Sequence, residues 1–93
     1  MGLSERVPQP QGSQAGQQEQ REEARLIRRL QIMVNMVMQV IAQAPNLTVD
    51  EAAQMCADCK RAALAMFPEK ELAYDLIYKP RLQRLMHERY GLQ

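Results

Sequence analysis

A Cys-x-x-Cys motif, formed by Cys56 and Cys59, is the first place where this sequence could support chemistry. The same spacing occurs in zinc half-sites and in redox-active dithiols. A redox dithiol lowers its thiolate pKa through the field of a helix N-terminus, but both cysteines lie two turns inside a predicted helix. We therefore expect two reduced cysteines that serve as small core residues.

A metal site or a catalytic site would need partners that the sequence does not supply. Zinc requires four ligands, whereas the chain has one histidine, His87, and no second cysteine pair. A metal-binding module built on Cys56, Cys59 and His87 is therefore only a third hypothesis. No paired carboxylates, phosphate-binding glycine loop or nucleophile elbow accompany His87, so we expect neither a cofactor nor enzymatic activity.

A basic cluster near the C-terminus could bind phosphates. It consists of Lys79, Arg81, Arg84 and Arg89. The overall formal charge is only +1, so no global field favours a polyanion. Because Pro80 interrupts the cluster and no row of base-reading side chains accompanies it, a solvated basic face is the simpler interpretation. Nucleic-acid binding through these four residues is the alternative hypothesis.

The segment from Glu22 to Ala44 is expected to be the helix around which the others pack, because it carries the longest apolar pattern in the sequence. A first apolar seam at helical spacing consists of Leu26, Leu30, Met33, Val37, Val40 and Ala44. A second seam beside it consists of Ile27, Val34, Met38 and Ile41, and Met36 widens the apolar surface on the other flank. The apolar arc spans roughly 200°, twice what one neighbouring helix covers. Two helices, from this chain or from a second copy, are therefore expected to pack against it.

Shorter helices should follow this long one. Thr48 and Glu51 have the spacing of a capping box, which predicts the start of helix 2. Pro68 ends that helix, Pro80 interrupts the next one, and Gly91 should cap the last. The expected fold is all-α, a small three- to four-helix bundle built around one long N-terminal helix, with the last helix pair kinked or broken near Pro80.

The first eighteen residues differ in composition from the rest of the chain. They are rich in Gln, Gly, Pro and Ser, so we predict a disordered tail over 1–18 and one helical domain over 19–93, with helix 1 starting within 17–22. No apolar run is long enough for a membrane span, and the polar start is unlike a secretory signal. The sequence favours a cytoplasmic protein that does not enter membranes.

An apolar arc wider than the chain can cover favours a non-catalytic helical module for protein–protein interaction. The first seam should pack against helix 2, while Pro80 keeps the last two helices from following helix 1 along its full length. The second seam, Ile27, Val34, Met38 and Ile41, is then the predicted partner-binding surface. Its partner would be another protein or a second copy of the chain.

Overall fold

The computed structural model describes residues 11–91, with side chains placed from residue 16 onward, and this part of the chain is all-α. It contains α1 (Gln11–Gln43), α2 (Val49–Met66), α3 (Glu71–Ile77) and α4 (Lys79–Tyr90). No strand occurs in the described residues. The prediction of a small helical bundle around one long N-terminal helix is confirmed.

The N-terminal boundary of α1 differs from the prediction. The helix begins at Gln11, so the start predicted within 17–22 is wrong and residues 11–18 are helical. Residues 11–18 contain four glutamines and one alanine, which are good helix formers, and the two glycines, Gly12 and Gly16, cost only about 1 kcal/mol each relative to alanine. Residues 1–10 of the predicted disordered tail lie outside the described residues, so their disorder stays a prediction.

A short turn reverses the chain between α1 and α2. The predicted capping box starts α2: the Glu51 amide donates to Thr48 Oγ1 over 3.1 Å, and the Thr48 amide donates to Glu51 Oε1 over 3.0 Å. Ala52 near the start of α2 shares a buried cluster with Ile41 near the end of α1, and Ala63 shares a second cluster with Leu30. The two helices therefore run antiparallel.

The last two helices fold back over this pair. They meet at Tyr78, and Pro80 lies in the first turn of α4, where its missing amide proton removes no helical hydrogen bond. α4 packs against both α1 and α2, whereas α3 contacts only α2 and α4 within the described residues. Gly91 caps α4 with a φ of 68°, a left-handed conformation that glycine adopts without strain.

The C-terminal end of α4 is fastened to the α1–α2 turn by side chains. The Arg89 guanidinium donates to the carbonyl oxygen of Ile41 over 2.6 Å, and the Tyr90 hydroxyl donates to the carbonyl oxygen of Leu47 over 2.9 Å. The Arg89 charge also lies at the negative end of the α1 dipole. These contacts hold α4 along the C-terminal half of α1.

The core of the bundle predicts a large loss of stability for Ile41→Ala. Ile41 is fully buried, so truncation should lower the free energy of unfolding by about 2–5 kcal/mol, through lost burial and the cavity left behind. Ile77→Ala removes the same atoms from a half-exposed position and should cost about 1 kcal/mol or less. Urea unfolding followed by circular dichroism measures both. Equal losses would contradict the location of the core.

Candidate functional surfaces

The structure corrects the partner-binding surface predicted on α1. Val34 and Ile41 are 1% and 0% exposed, and Met38 is half-buried against the same core. These three side chains are covered by the chain's own helices and cannot contact a partner in this conformation. Only Ile27, at 39% exposure, remains accessible at one end of the seam. The prediction failed because α4, although short, is positioned along the half of α1 that carries Val34 and Ile41.

The exposed apolar surface of α1 lies on a different side of the helix. Its centre is Ile32, Met36 and Val40, which are 53%, 61% and 41% exposed and succeed one another at four-residue intervals. We call this surface the α1 flank, and it also includes Arg29, Met33, Val37, Gln39, Gln43 and Ala44. Met36 separates two shallow depressions of about 310 and 350 Å³. The sequence pattern indicated Met36 on this side, whereas Ile32 was missed, although it lies four residues before Met36.

A second apolar surface surrounds α3. A groove of about 300 Å³ separates α3 from α1 and has Ile27 and Ile77 on opposite walls. Leu72 and Leu76, one turn apart on α3, are more than two-thirds exposed. The groove explains why Ile27 stays accessible, since α3 does not pack directly on α1.

The α2/α4 cleft is an open cavity of about 660 Å³ between α2 and α4. Its α2 wall consists of small side chains, Ala53, Cys56 and Ala57, with Lys60 at one end. Its α4 wall and floor are Lys79, Leu82, Gln83, Arg84, Met86 and His87, with Tyr74 from α3. The cleft thus combines an apolar floor with four basic side chains.

Tyr74 contributes a buried polar group to this cleft. The residue is 5% exposed, and its hydroxyl has no nitrogen or oxygen hydrogen-bond partner in the described part of the chain. Burial raises the pKa of the Tyr74 hydroxyl above its usual range, and the neighbouring Cys59 thiol acts in the same direction. The hydroxyl therefore stays protonated and can act as a donor.

Alkaline pH should destabilise the fold through Tyr74. The folded state holds this proton more tightly than the unfolded chain, whose tyrosine pKa is about 10, so stability is unaffected well below pH 10 and falls above it. We expect Tyr74→Phe to reduce the loss between pH 8 and 11 by about 1 kcal/mol. Urea unfolding under reducing conditions measures it. Tyr78→Phe, with Tyr74 intact, is the control, and an equally reduced loss in this variant would contradict the assignment to Tyr74.

The two cysteines lie where the sequence placed them, in the interior. Cys59 is buried beside Leu30 and Val34, Cys56 is half-buried, and both are free thiols. Burial raises the pKa of Cys56, and the nearby Cys59 raises it further, so neither effect favours a nucleophilic thiolate. Among the described residues no three Cys, His, Asp or Glu side chains are grouped as metal ligands, and His87 is not brought together with both cysteines in such a group.

The basic cluster does not form one free surface. Arg89 is engaged with main-chain carbonyl groups of the α1–α2 turn, and Arg81 lies 5.6 Å from the centre of the Tyr78 ring. Lys79 and Arg84 instead border the α2/α4 cleft. The four residues of the nucleic-acid hypothesis therefore lie in three different environments.

Arg89 should matter for stability rather than for binding. Arg89→Ala removes a charged donor from the Ile41 carbonyl and should lower the free energy of unfolding by about 1–3 kcal/mol. Arg84→Ala, on the same helix but exposed, should change it by less than about 0.5 kcal/mol. Denaturant titrations of the two variants provide the comparison. A neutral Arg89→Ala would contradict a stabilising role for the hydrogen bond to Ile41.

Comparisons with known proteins found no match, so a function has to be argued from these surfaces. No protein-family model matches the chain, and neither a curated protein nor a solved structure is significantly similar to it. Within the described residues, no helix has the length and hydropathy needed to cross a bilayer.

Proposed function

We propose that this chain is a small non-catalytic helical module for protein–protein interaction, and that it binds a second copy of itself through the α1 flank. The exposure of Ile32, Met36 and Val40 along three successive turns carries the proposal. A continuous apolar stripe of this kind on a small helical protein is characteristic of an interface. The flank replaces the second seam as the proposed partner-binding surface.

The charges around the flank favour a second copy over an acidic or basic partner. The sequence has no Asp or Glu between Glu23 and Asp50, and the polar members of the flank are one arginine and two glutamines. Such a surface offers apolar contact and amide hydrogen bonds to an identical surface. Two-fold pairing also allows one patch to be buried twice, which is the commonest arrangement in homo-oligomers.

An antiparallel orientation suits these residues best. With Met36 at the two-fold axis, Arg29 of one copy lies opposite Gln43 of the other, since both are seven residues from Met36. Arg29 can then donate a hydrogen bond to the Gln43 side chain of the other copy, near a helix end whose dipole already faces the Arg89 charge. A parallel pair would place the two Arg29 side chains together, whereas antiparallel pairing separates them by about 21 Å along the axis.

The alternative functions receive less support. The engagement of Arg89 with the α1–α2 turn reduces the basic cluster available to nucleic acid. Two free cysteines agree with a reducing compartment, so the cytoplasm is the proposed location.

The dimer should respond to a single charge placed on the flank. Met36→Glu buries a carboxylate at the two-fold axis and should weaken self-association at least about tenfold, with helix content unchanged because Met36 is exposed in the monomer. Sedimentation equilibrium over a range of concentrations gives the dimer dissociation constant, and circular dichroism reports the fold.

Leu76→Glu is the matched control for this experiment. It introduces the same carboxylate at an equally exposed apolar position on α3, outside the flank, and should leave self-association unchanged. A native chain that remains monomeric at its solubility limit would refute the proposal. Dissociation by Leu76→Glu but not by Met36→Glu would move the interface to α3.

A further inference from the structure

The α2/α4 cleft has the dimensions of a small-molecule site. Its volume of about 660 Å³ lies within the range of roughly 300–1,000 Å³ that such sites occupy. The space exists because α2 presents Ala53, Cys56 and Ala57 to the cleft, and these side chains are too short to fill it. Leu82 and Met86, both buried in the core, supply an apolar floor.

Positive charge borders this floor on the α4 side. Lys79 and Arg84 are exposed, and no carboxylate in the described part of the chain pairs with either. Lys60, by contrast, is already neutralised by Glu71 at 2.9 Å and Asp75 at 3.1 Å. No acidic side chain lines the cleft. Its uncompensated charge therefore comes from Lys79 and Arg84, which attract an anion.

The Tyr74 hydroxyl supplies a second, independent indication of a ligand. A buried hydroxyl without a hydrogen-bond partner costs about 1–3 kcal/mol, so native proteins rarely leave one unsatisfied. Tyr74 lines the cleft, and its polar neighbours are the Cys59 and Cys56 thiols, which are weak hydrogen-bonding groups, and the Asp75 carboxylate, which makes no hydrogen bond with the hydroxyl. A ligand oxygen in the cleft would satisfy this donor.

We propose that the α2/α4 cleft binds a small amphipathic carboxylate, of the class of a medium-chain fatty acid. Lys79 and Arg84 hold the carboxylate, Tyr74 donates a hydrogen bond to it, and the hydrocarbon part lies on Leu82 and Met86. A compact polar anion such as free phosphate would leave the floor uncovered, and a neutral hydrocarbon would leave the two charges unused. The cleft belongs to α2 and α4, so the proposal is independent of dimerisation through α1.

Calorimetric titration of the full chain with decanoate, below its micelle concentration, tests the ligand class. We expect saturable binding of one decanoate per chain. Decanol has the same chain length without the charge, and it should bind at least about tenfold more weakly because it cannot form charge-assisted hydrogen bonds. Absence of saturable decanoate binding, or equal affinity for decanol, would overturn the proposal.

Variants then test the residues that the cleft brings together. Arg84→Gln and Lys79→Gln should each weaken decanoate binding by about three- to tenfold, a modest factor because both side chains are exposed. Arg81→Gln is the matched control: it makes the same change on the same helix, but Arg81 lies over Tyr78 outside the cleft. An equal loss of decanoate affinity in Arg81→Gln would show that only the overall positive charge matters. That result would overturn the proposed site.

Tyr74→Phe separates binding from folding. The variant removes a hydroxyl that has no oxygen or nitrogen partner in the described residues, so stability at neutral pH should be unchanged or higher. Decanoate affinity should nevertheless fall by about threefold or more, because the ligand loses one donor. Native affinity in this variant would overturn the assignment of Tyr74 as a ligand donor.

Discussion

The structure depends on one constraint, which is that α1 has more apolar circumference than α2, α3 and α4 cover. α1 has 33 residues and α2 has 18, so an antiparallel α2 reaches along little more than half of it. α4 covers the side bearing Val34 and Ile41. The opposite side, with Ile32, Met36 and Val40, then has no neighbour in the described residues. The proposed dimer would cover this side, which no other helix in the described residues reaches.

The small residues of α2 have different effects on its two sides. Ala52, Cys59 and Ala63 are buried on the α1 side, where short side chains permit close approach of the helix axes. Ala53, Cys56 and Ala57 line the α2/α4 cleft, where the same shortness leaves space between the two helices. Close packing on one side and a cavity on the other therefore have a common origin in the composition of α2.

Helical periodicity was sufficient to predict the class of fold and most of the helix ends. Thr48 and Gly91 act through local hydrogen bonding and local backbone conformation, so their roles were visible in the sequence. The side of α1 that other helices cover was not visible in the sequence. Periodicity shows how wide an apolar arc is, but it does not show where α4 will lie. α4 is held in part by the hydrogen bond from Arg89 to the Ile41 carbonyl, which lies 48 residues away in sequence, and no local pattern encodes such a contact. The cleft was missed for the same reason, because Tyr74, Lys79 and Arg84 meet α2 only in the folded chain.

The two proposed surfaces are separate but share a core. Met86 lines the α2/α4 cleft and packs in the same buried cluster as Ile41, and Ile41 is the neighbour in sequence of Val40 on the α1 flank. A ligand that lies on Met86 can therefore act on Ile41 through this cluster, since close-packed cores transmit changes of shape. Linkage requires that any resulting effect be reciprocal: a ligand that strengthens dimerisation by some factor binds the dimer more tightly than the monomer by that factor. The α4 anchor at Arg89 limits this coupling, because it holds the end of α4 nearest Ile41 in place.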